Sequence, residues 1–117
     1  MQFVVHETET HLNIVIEEPR IDAAMATQFK DKLRSTLARA AKPVHMDMGR
    51  VEFMDSSGLG AMISVRKCLA ENLPLVLIGL TPNVERVFRL TRMDSVFHIS
   101  PVAQSAIPHP NQEARHE

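Results

Sequence analysis

The sequence predicts one α/β domain with a mixed β-sheet of about five strands and helices packed on it. Strand-like segments alternate with amphipathic helical segments along the chain, which is typical of parallel strands joined by helices. The first two strand segments are separated by a short polar turn, so they can pair antiparallel. A chain of 117 residues, with 44% hydrophobic and 23% charged residues, fits a single globular domain. The expected element order is β-β-α-β-α-β-α-β, with a possible further helix at the end.

The predicted strands are short and bounded by turn-forming residues. Residues 3–5 are apolar, residues 6–11 form a polar turn, and residues 12–16 alternate between apolar and other side chains. Pro19 ends this second strand because proline cannot donate to a strand ladder. The later segments are an alternating strand at 44–48, a short extended segment at 51–54, a continuously apolar strand at 75–78 and a last strand at 96–99. The apolar run at 75–78 indicates a strand buried on both faces.

Three helices are predicted from their start signals and apolar spacing. Asp22 is a good N-cap for a first helix, whose apolar residues recur every three or four positions: Ala26, Phe29, Leu33, Leu37 and Ala40. The second helix begins within Asp55-Ser56-Ser57-Gly58, where either serine can act as the cap. Thr81-Pro82 starts the third helix, with proline at the first helical position.

Composition excludes several classes of protein. A net charge of −1 gives the chain no general attraction to nucleic acid or anionic lipid. No apolar run reaches the length of a membrane span, and the first residues do not resemble a secretory signal. Cys68 is the single cysteine and cannot form an internal disulfide, so a cytoplasmic protein is expected.

Metal, nucleotide and hydrolase chemistry are all poorly supported. The six histidines do not show the i, i+4 spacing of helical metal ligands, and no second thiol accompanies them. The chain contains neither a phosphate-binding glycine loop nor the serine elbow of hydrolases. A catalytic Ser56 would need a spatial partner such as His45 or His98, which remains the weakest alternative. We expect no cofactor, no metal and no catalysis.

The most informative segment is MDSSGLGAMI, at residues 54–63. A serine at an exposed strand-to-helix corner is accessible, and a phosphate there meets free backbone N–H groups. The segment closely resembles the signature of STAS-domain anti-sigma factor antagonists. The similarity extends from about Leu12 to Ile99, and includes Ile21-Asp22 and residues 80–88.

This resemblance implies a STAS fold over residues 1–107 and a regulatory function. Residues 108–117 contain no apolar anchor, so we expect them to form a mobile polar tail. Members of the family bind an anti-sigma factor, often a serine kinase of the GHKL ATPase type. The kinase phosphorylates the antagonist and blocks binding, and a PP2C-type phosphatase restores it. The phosphate acceptor of the family corresponds to Ser56. Ser57 corresponds to a hydrogen-bonding and capping position, and the remaining expected switch-surface residues are Asp22, Asp55, Gly58 and Leu59.

Two segments depart from the family pattern. Pro19-Arg20 replaces a usual glycine and acidic residue, which changes a charge near the expected partner surface. Thr91-Arg92-Met93-Asp94 lies where the family usually has a glycine. An alternative function within the same family is a STAS subunit of an ABC-type lipid transport assembly, but a subunit that acts only as a scaffold needs no acceptor serine.

Overall fold

A computed structural model describes residues 2–100 of the chain. Its helices are α1 (Ala23–Ala38), α2 (Ser56–Cys68) and α3 (Pro82–Leu90), and a 3-10 turn follows at Met93–Ser95. Its strands are β1 (Phe3–Glu7), β2 (Leu12–Ile16), β3 (Arg20–Ile21), β4 (Val44–Asp47), β5 (Phe53–Met54), β6 (Leu75–Ile78) and β7 (His98–Ile99). The possible last helix, the domain boundary at residue 107 and the tail at 108–117 lie outside the described residues.

The main sheet has five strands in the order β1-β2-β4-β6-β7. β1 is antiparallel to β2, whereas β2, β4, β6 and β7 are mutually parallel. The parallel strands follow one another in one direction across the sheet, and right-handed crossovers therefore place α1, α2 and α3 on the same face. The predicted mixed five-strand α/β fold is confirmed.

The core lies between this face and the helices. Alternate residues of the central strands are fully buried there, among them Ile14 of β2, Met46 of β4 and Leu77 of β6. The helices contribute the predicted apolar residues at three- and four-residue spacing, including Phe29, Leu33 and Leu37 from α1, Met62 and Val65 from α2, and Val84 and Phe88 from α3. Burial of these apolar residues holds each helix against the sheet with its apolar face turned inward.

A second, two-stranded sheet was not predicted. Arg20 pairs with Phe53 and Ile21 with Met54, so β3 and β5 form a short parallel ribbon. The prediction that residues 18–20 end the second strand is confirmed, because β2 ends at Ile16, but the return to extended structure at Arg20 was not predicted. Two-residue strands carry too little periodicity to be detected, and here Pro19 helps as an acceptor, since its carbonyl receives hydrogen bonds from the amides of Glu52 (2.8 Å) and Phe53 (3.2 Å).

The outer strands also differ from prediction in length. β1 extends through His6 and Glu7, which were expected in the turn, because an edge strand tolerates exposed polar residues. β7 is limited to His98–Ile99, while Val96 belongs to the preceding turn and Phe97 is buried against Phe88 with a ring-centroid distance of 5.8 Å.

Candidate phosphorylation site and partner surface

The two predicted acidic residues meet at the starts of α1 and α2. Asp22 follows β3 directly and Asp55 follows β5 directly. Because Ile21 and Met54 are register partners in the ribbon, the two aspartates come next to each other where the chains turn into their helices. The ribbon thus joins two segments more than thirty residues apart in sequence into one surface.

Asp55 caps both helices with one carboxylate. Its Oδ1 accepts a hydrogen bond from the amide of Gly58 at 2.9 Å, and its Oδ2 accepts one from the amide of Ala23 at 3.1 Å. These amides belong to the first turns of α2 and α1, where backbone donors have no partner within the helix. The expectation that Ser56 or Ser57 caps α2 was wrong, because the N-cap is Asp55 itself.

Asp22 occupies the N-cap position of α1, but its side chain makes no capping hydrogen bond. Its Oδ2 instead lies 3.3 Å from Nε of Arg20. The α1 cap expected from Asp22 is thus provided by Asp55 across the ribbon. Because Asp22 does not cap the helix, its carboxylate adds negative charge to this surface but contributes little to the stability of α1.

Ser56 and Ser57 are the first two residues of α2, and both are exposed. Neither hydroxyl forms a hydrogen bond with another residue in the range 2–100, so the local bonding role expected of Ser57 is not observed there. A hydroxyl at this position is accessible to an enzyme that modifies it. A charged group attached there would lie at the positive end of the α2 dipole.

Gly58 and Leu59 lie deeper than the serines. Gly58 is buried, and a Cβ added to it would overlap the carbonyl oxygen of Ile21 and come 2.7 Å from Cγ of Met54. Leu59 is half-buried and packs against the core. Gly58 therefore sets how closely α2 approaches β3, while Leu59 contributes only part of its side chain to the surface.

Phe53 is a surface residue that sequence reasoning missed. Its side chain is 42% exposed, and the guanidinium carbon of Arg20 lies 4.5 Å from the centroid of its ring. Strand alternation could have identified it, because Met54 is buried and its neighbour in a strand must face outward. An aromatic ring and an arginine lie on the ribbon that leads into the exposed serines, and these residue types commonly dominate protein interfaces.

The histidines of residues 2–100 do not form a catalytic or metal site with Ser56. His45 lies on β4 next to Val44 and Met46, which face the core, so its ring lies on the sheet face away from α2. That ring stacks on His11 with centroids 4.0 Å apart. Within the described chain, neither His45 nor His98 hydrogen-bonds Ser56, and no three metal-binding side chains cluster.

Two cavities in the described part of the chain lie apart from the surface around Ser56. A cavity of about 350 Å³ lies beside Lys42 and the end of α1, and one of about 450 Å³ lies beside Thr81. Neither is lined by Ser56, Asp22 or Asp55. An exposed serine that lines neither cavity suits contact with a protein better than enclosure of a small molecule.

Comparison with known proteins identifies the family. Residues 2–106 match the STAS domain family. The chain belongs to the STAS domain family. It is 30% identical over 100 residues to the anti-sigma-B factor antagonist of Listeria monocytogenes, and the alignment covers 84% of this chain and 87% of the relative. The resemblance inferred from residues 54–63 is thus confirmed.

Solved structures of STAS domains share the fold. The anti-sigma factor antagonist domain protein of Planctomyces limnophilus is 20% identical, with a TM-score of 0.77 over 89% of this chain and 93% of the other. The Bacillus cell fate determinant SpoIIAA in its phosphorylated form is 18% identical, with a TM-score of 0.61 over 99% of this chain and all of the other. Of the helices within residues 2–100, none combines the length and hydrophobicity needed to span a bilayer.

Proposed function

We propose that this STAS protein is an anti-sigma factor antagonist whose activity is controlled by phosphorylation of Ser56. The unphosphorylated form binds an anti-sigma factor that is also a serine kinase of the GHKL ATPase type, and phosphorylation releases it. A PP2C-type phosphatase removes the phosphate and restores binding. The protein acts in the cytoplasm as a substrate and binding partner and catalyses no reaction itself.

The observation that carries this proposal is the exposed Ser56 directly after Asp55, at the start of α2, within a STAS domain. The relative from Listeria monocytogenes bears the name of an anti-sigma-B factor antagonist. A structural neighbour is described as a phosphorylated form. These names support the role, and the accessible hydroxyl supplies the acceptor that the role requires.

The proposed switch acts through charge at the binding surface. A phosphate on Ser56 adds about −1.5 to −2 charges beside Asp55 and close to Asp22. In an interface, each new pair of like charges about 4 Å apart costs roughly 1 to 4 kcal/mol, depending on the local dielectric. A total loss of about 3 kcal/mol lowers affinity more than a hundredfold. No large rearrangement of the domain is needed.

The folded domain tolerates this modification. The α2 cap is provided by Asp55, whose bonds to the amides of Gly58 and Ala23 do not involve the Ser56 hydroxyl. The phosphate also lies at the positive end of the α2 dipole, where negative charge is favourable. Phosphorylation should therefore change binding without unfolding the protein.

The decisive experiment identifies the partner that co-purifies from native lysate and incubates it with this protein and ATP. Fragment-ion mass spectrometry then locates the phosphate, with Ser56→Ala and Ser57→Ala as a matched pair of variants. Phosphate on Ser56 that is absent only from Ser56→Ala supports the proposal. Phosphate confined to Ser57 or to a distant residue refutes the assignment, and a transporter ATPase as the bound partner would favour the transport function instead.

Calorimetry with the isolated partner tests the electrostatic mechanism. Ser56→Ala should bind as well as the unmodified protein, since the hydroxyl is needed as an acceptor more than as a contact. Ser56→Asp should bind more weakly, but less so than the phosphoprotein, because aspartate carries one charge and phosphate nearly two. Equal affinity of the phosphorylated and unmodified proteins would refute the mechanism.

A further inference from the structure

Arg20 is the cation that directly contacts the acidic surface around Ser56. Its Nε lies 3.3 Å from Oδ2 of Asp22, and its guanidinium carbon lies 4.5 Å from the centroid of the Phe53 ring. Its side chain is 60% exposed. Within the described part of the chain, no second cation is ion-paired with Asp22 or Asp55.

The ribbon carries Arg20 towards the modified serine. Arg20 and Phe53 are register partners in the ribbon, and Phe53 precedes Ser56 by three residues. Arg20 pairs with Asp22, which is the N-cap residue of α1. The first amide of α1 donates a hydrogen bond to Asp55, and Asp55 directly precedes Ser56 in the sequence. The arginine and the serine therefore belong to one continuous surface.

The present contacts of Arg20 leave much of its bonding capacity unused. Only Nε hydrogen-bonds another described residue, whereas a guanidinium has five N–H donors in a planar fork. The guanidinium is largely exposed and the Asp22 carboxylate is half-buried, and ion pairs that remain open to solvent on one side are weak and readily exchanged. A phosphate dianion is the better ligand, because it carries more charge and accepts two parallel hydrogen bonds from the fork.

We propose that Arg20 exchanges Asp22 for the phosphate when Ser56 is phosphorylated. This inference rests on the proposed function, since it concerns the regulation of the same site. The Phe53 ring continues to support one face of the guanidinium, so the fork turns towards α2 without losing its stacking contact. Asp22 loses its counter-ion at the same moment, and modification at the start of α2 thereby changes the exposed charge at the start of α1.

The test uses the full chain with phosphoserine inserted at position 56 during translation, so that no kinase is needed. Phosphorus NMR then gives the pKa of the second ionisation of the phosphate. Arg20→Gln should raise this pKa by about 1, because it removes a cation that stabilises the dianion. Arg20→Lys should retain part of the effect. The control is Arg50→Gln, since Arg50 is also an exposed arginine but pairs with Glu17 at 3.5 Å.

A second measurement distinguishes direct contact between Arg20 and the phosphate from a long-range electrostatic effect of the arginine charge. The Nε–H resonance of Arg20 should move with the titration of the phosphate, whereas that of Arg50 should not. An equal phosphate pKa in the unsubstituted protein and Arg20→Gln, with circular dichroism confirming that both are folded, would overturn the inference. An equal pKa increase in Arg20→Gln and Arg50→Gln would overturn it as well. Phosphate placed by the partner kinase only on Ser57 or on a distant residue would instead refute the proposed function, so the two failures are distinguishable.

Discussion

Gly58 packs so closely against the backbone of Ile21 that no side chain fits between them. A Cβ on Gly58 would overlap the Ile21 carbonyl oxygen and would also come 2.7 Å from Cγ of Met54. The contact joins the first turn of α2 to β3. Gly60 lies two residues later on the same helix, and a Cβ added to it would meet no atom within 4 Å.

This difference makes the two glycines a matched pair. Gly58→Ala should lower the free energy of unfolding by about 1 to 3 kcal/mol, because backbone must move to admit the methyl group. Gly60→Ala should raise it by about 0.5 to 1 kcal/mol, since alanine loses less conformational entropy than glycine in a helix. Urea denaturation of both variants measures the effect. A Gly58→Ala variant as stable as the unsubstituted protein would show that the contact is not tight.

The two aspartates should contribute unequally to stability. Asp55→Ala removes caps from both α1 and α2 and should cost about 2 kcal/mol, at the upper end of the range for a single cap. Asp22→Ala removes only the ion pair with the largely exposed Arg20 and should cost less than about 1 kcal/mol. An equal loss in thermal or urea unfolding for Asp22→Ala would mean that Asp22 supports the start of α1 as much as Asp55 does.

The serines should be nearly neutral for folding. Ser56→Ala and Ser57→Ala each remove an exposed hydroxyl that bonds no other described residue, so each should change the free energy of unfolding by less than about 0.5 kcal/mol. If Ser56→Ala abolishes the regulation of partner binding while folding is unchanged, the cause is the loss of the phosphate acceptor. A loss of more than about 1 kcal/mol in urea unfolding would contradict the assignment of the cap to Asp55.

His45 should make stability depend on pH. Burial, and secondarily the positive charge of nearby His11, lowers the pKa of His45 below its ordinary value of 6.5. The folded state therefore favours the neutral ring, and this stabilisation is complete above pH 6.5 and decreases as pH falls towards the lowered pKa. The urea midpoint should be lower at about pH 5.5 than at about pH 7.5, across the range where histidine titrates.

Variants assign this pH dependence to its source. His45→Gln should reduce the difference between the two midpoints, whereas His98→Gln, at an exposed position on β7, should leave it unchanged. If His45→Gln retains the full difference, the titration of another group is responsible.

The sequence was sufficient to predict the sheet and the three helices, because their apolar periodicity is long enough to be distinctive. Phe29, Leu33 and Leu37 define one face of α1 whatever the rest of the chain does. The β3–β5 ribbon could not be predicted in this way. It depends on a pairing between residues 20–21 and 53–54, which no local pattern records.

The errors at the candidate site have the same origin. Propensity favours both aspartate and serine as caps, and the choice of Asp55 depends on the position of the Ala23 amide across the ribbon. The stacking of His11 on His45 likewise requires the alignment of β2 with β4, in which Leu12 is paired with Val44. Residue types were predictable, whereas contacts between distant segments were not.

The shared cap at Asp55 also affects the thermodynamics of association. One carboxylate fixes the first turns of both α1 and α2, so these helix starts are ordered before any partner arrives. A partner that docks there loses little affinity to conformational entropy, because the surface is already preorganised. Differences in affinity between the phosphorylated and unmodified forms should consequently appear mainly as differences in dissociation rate.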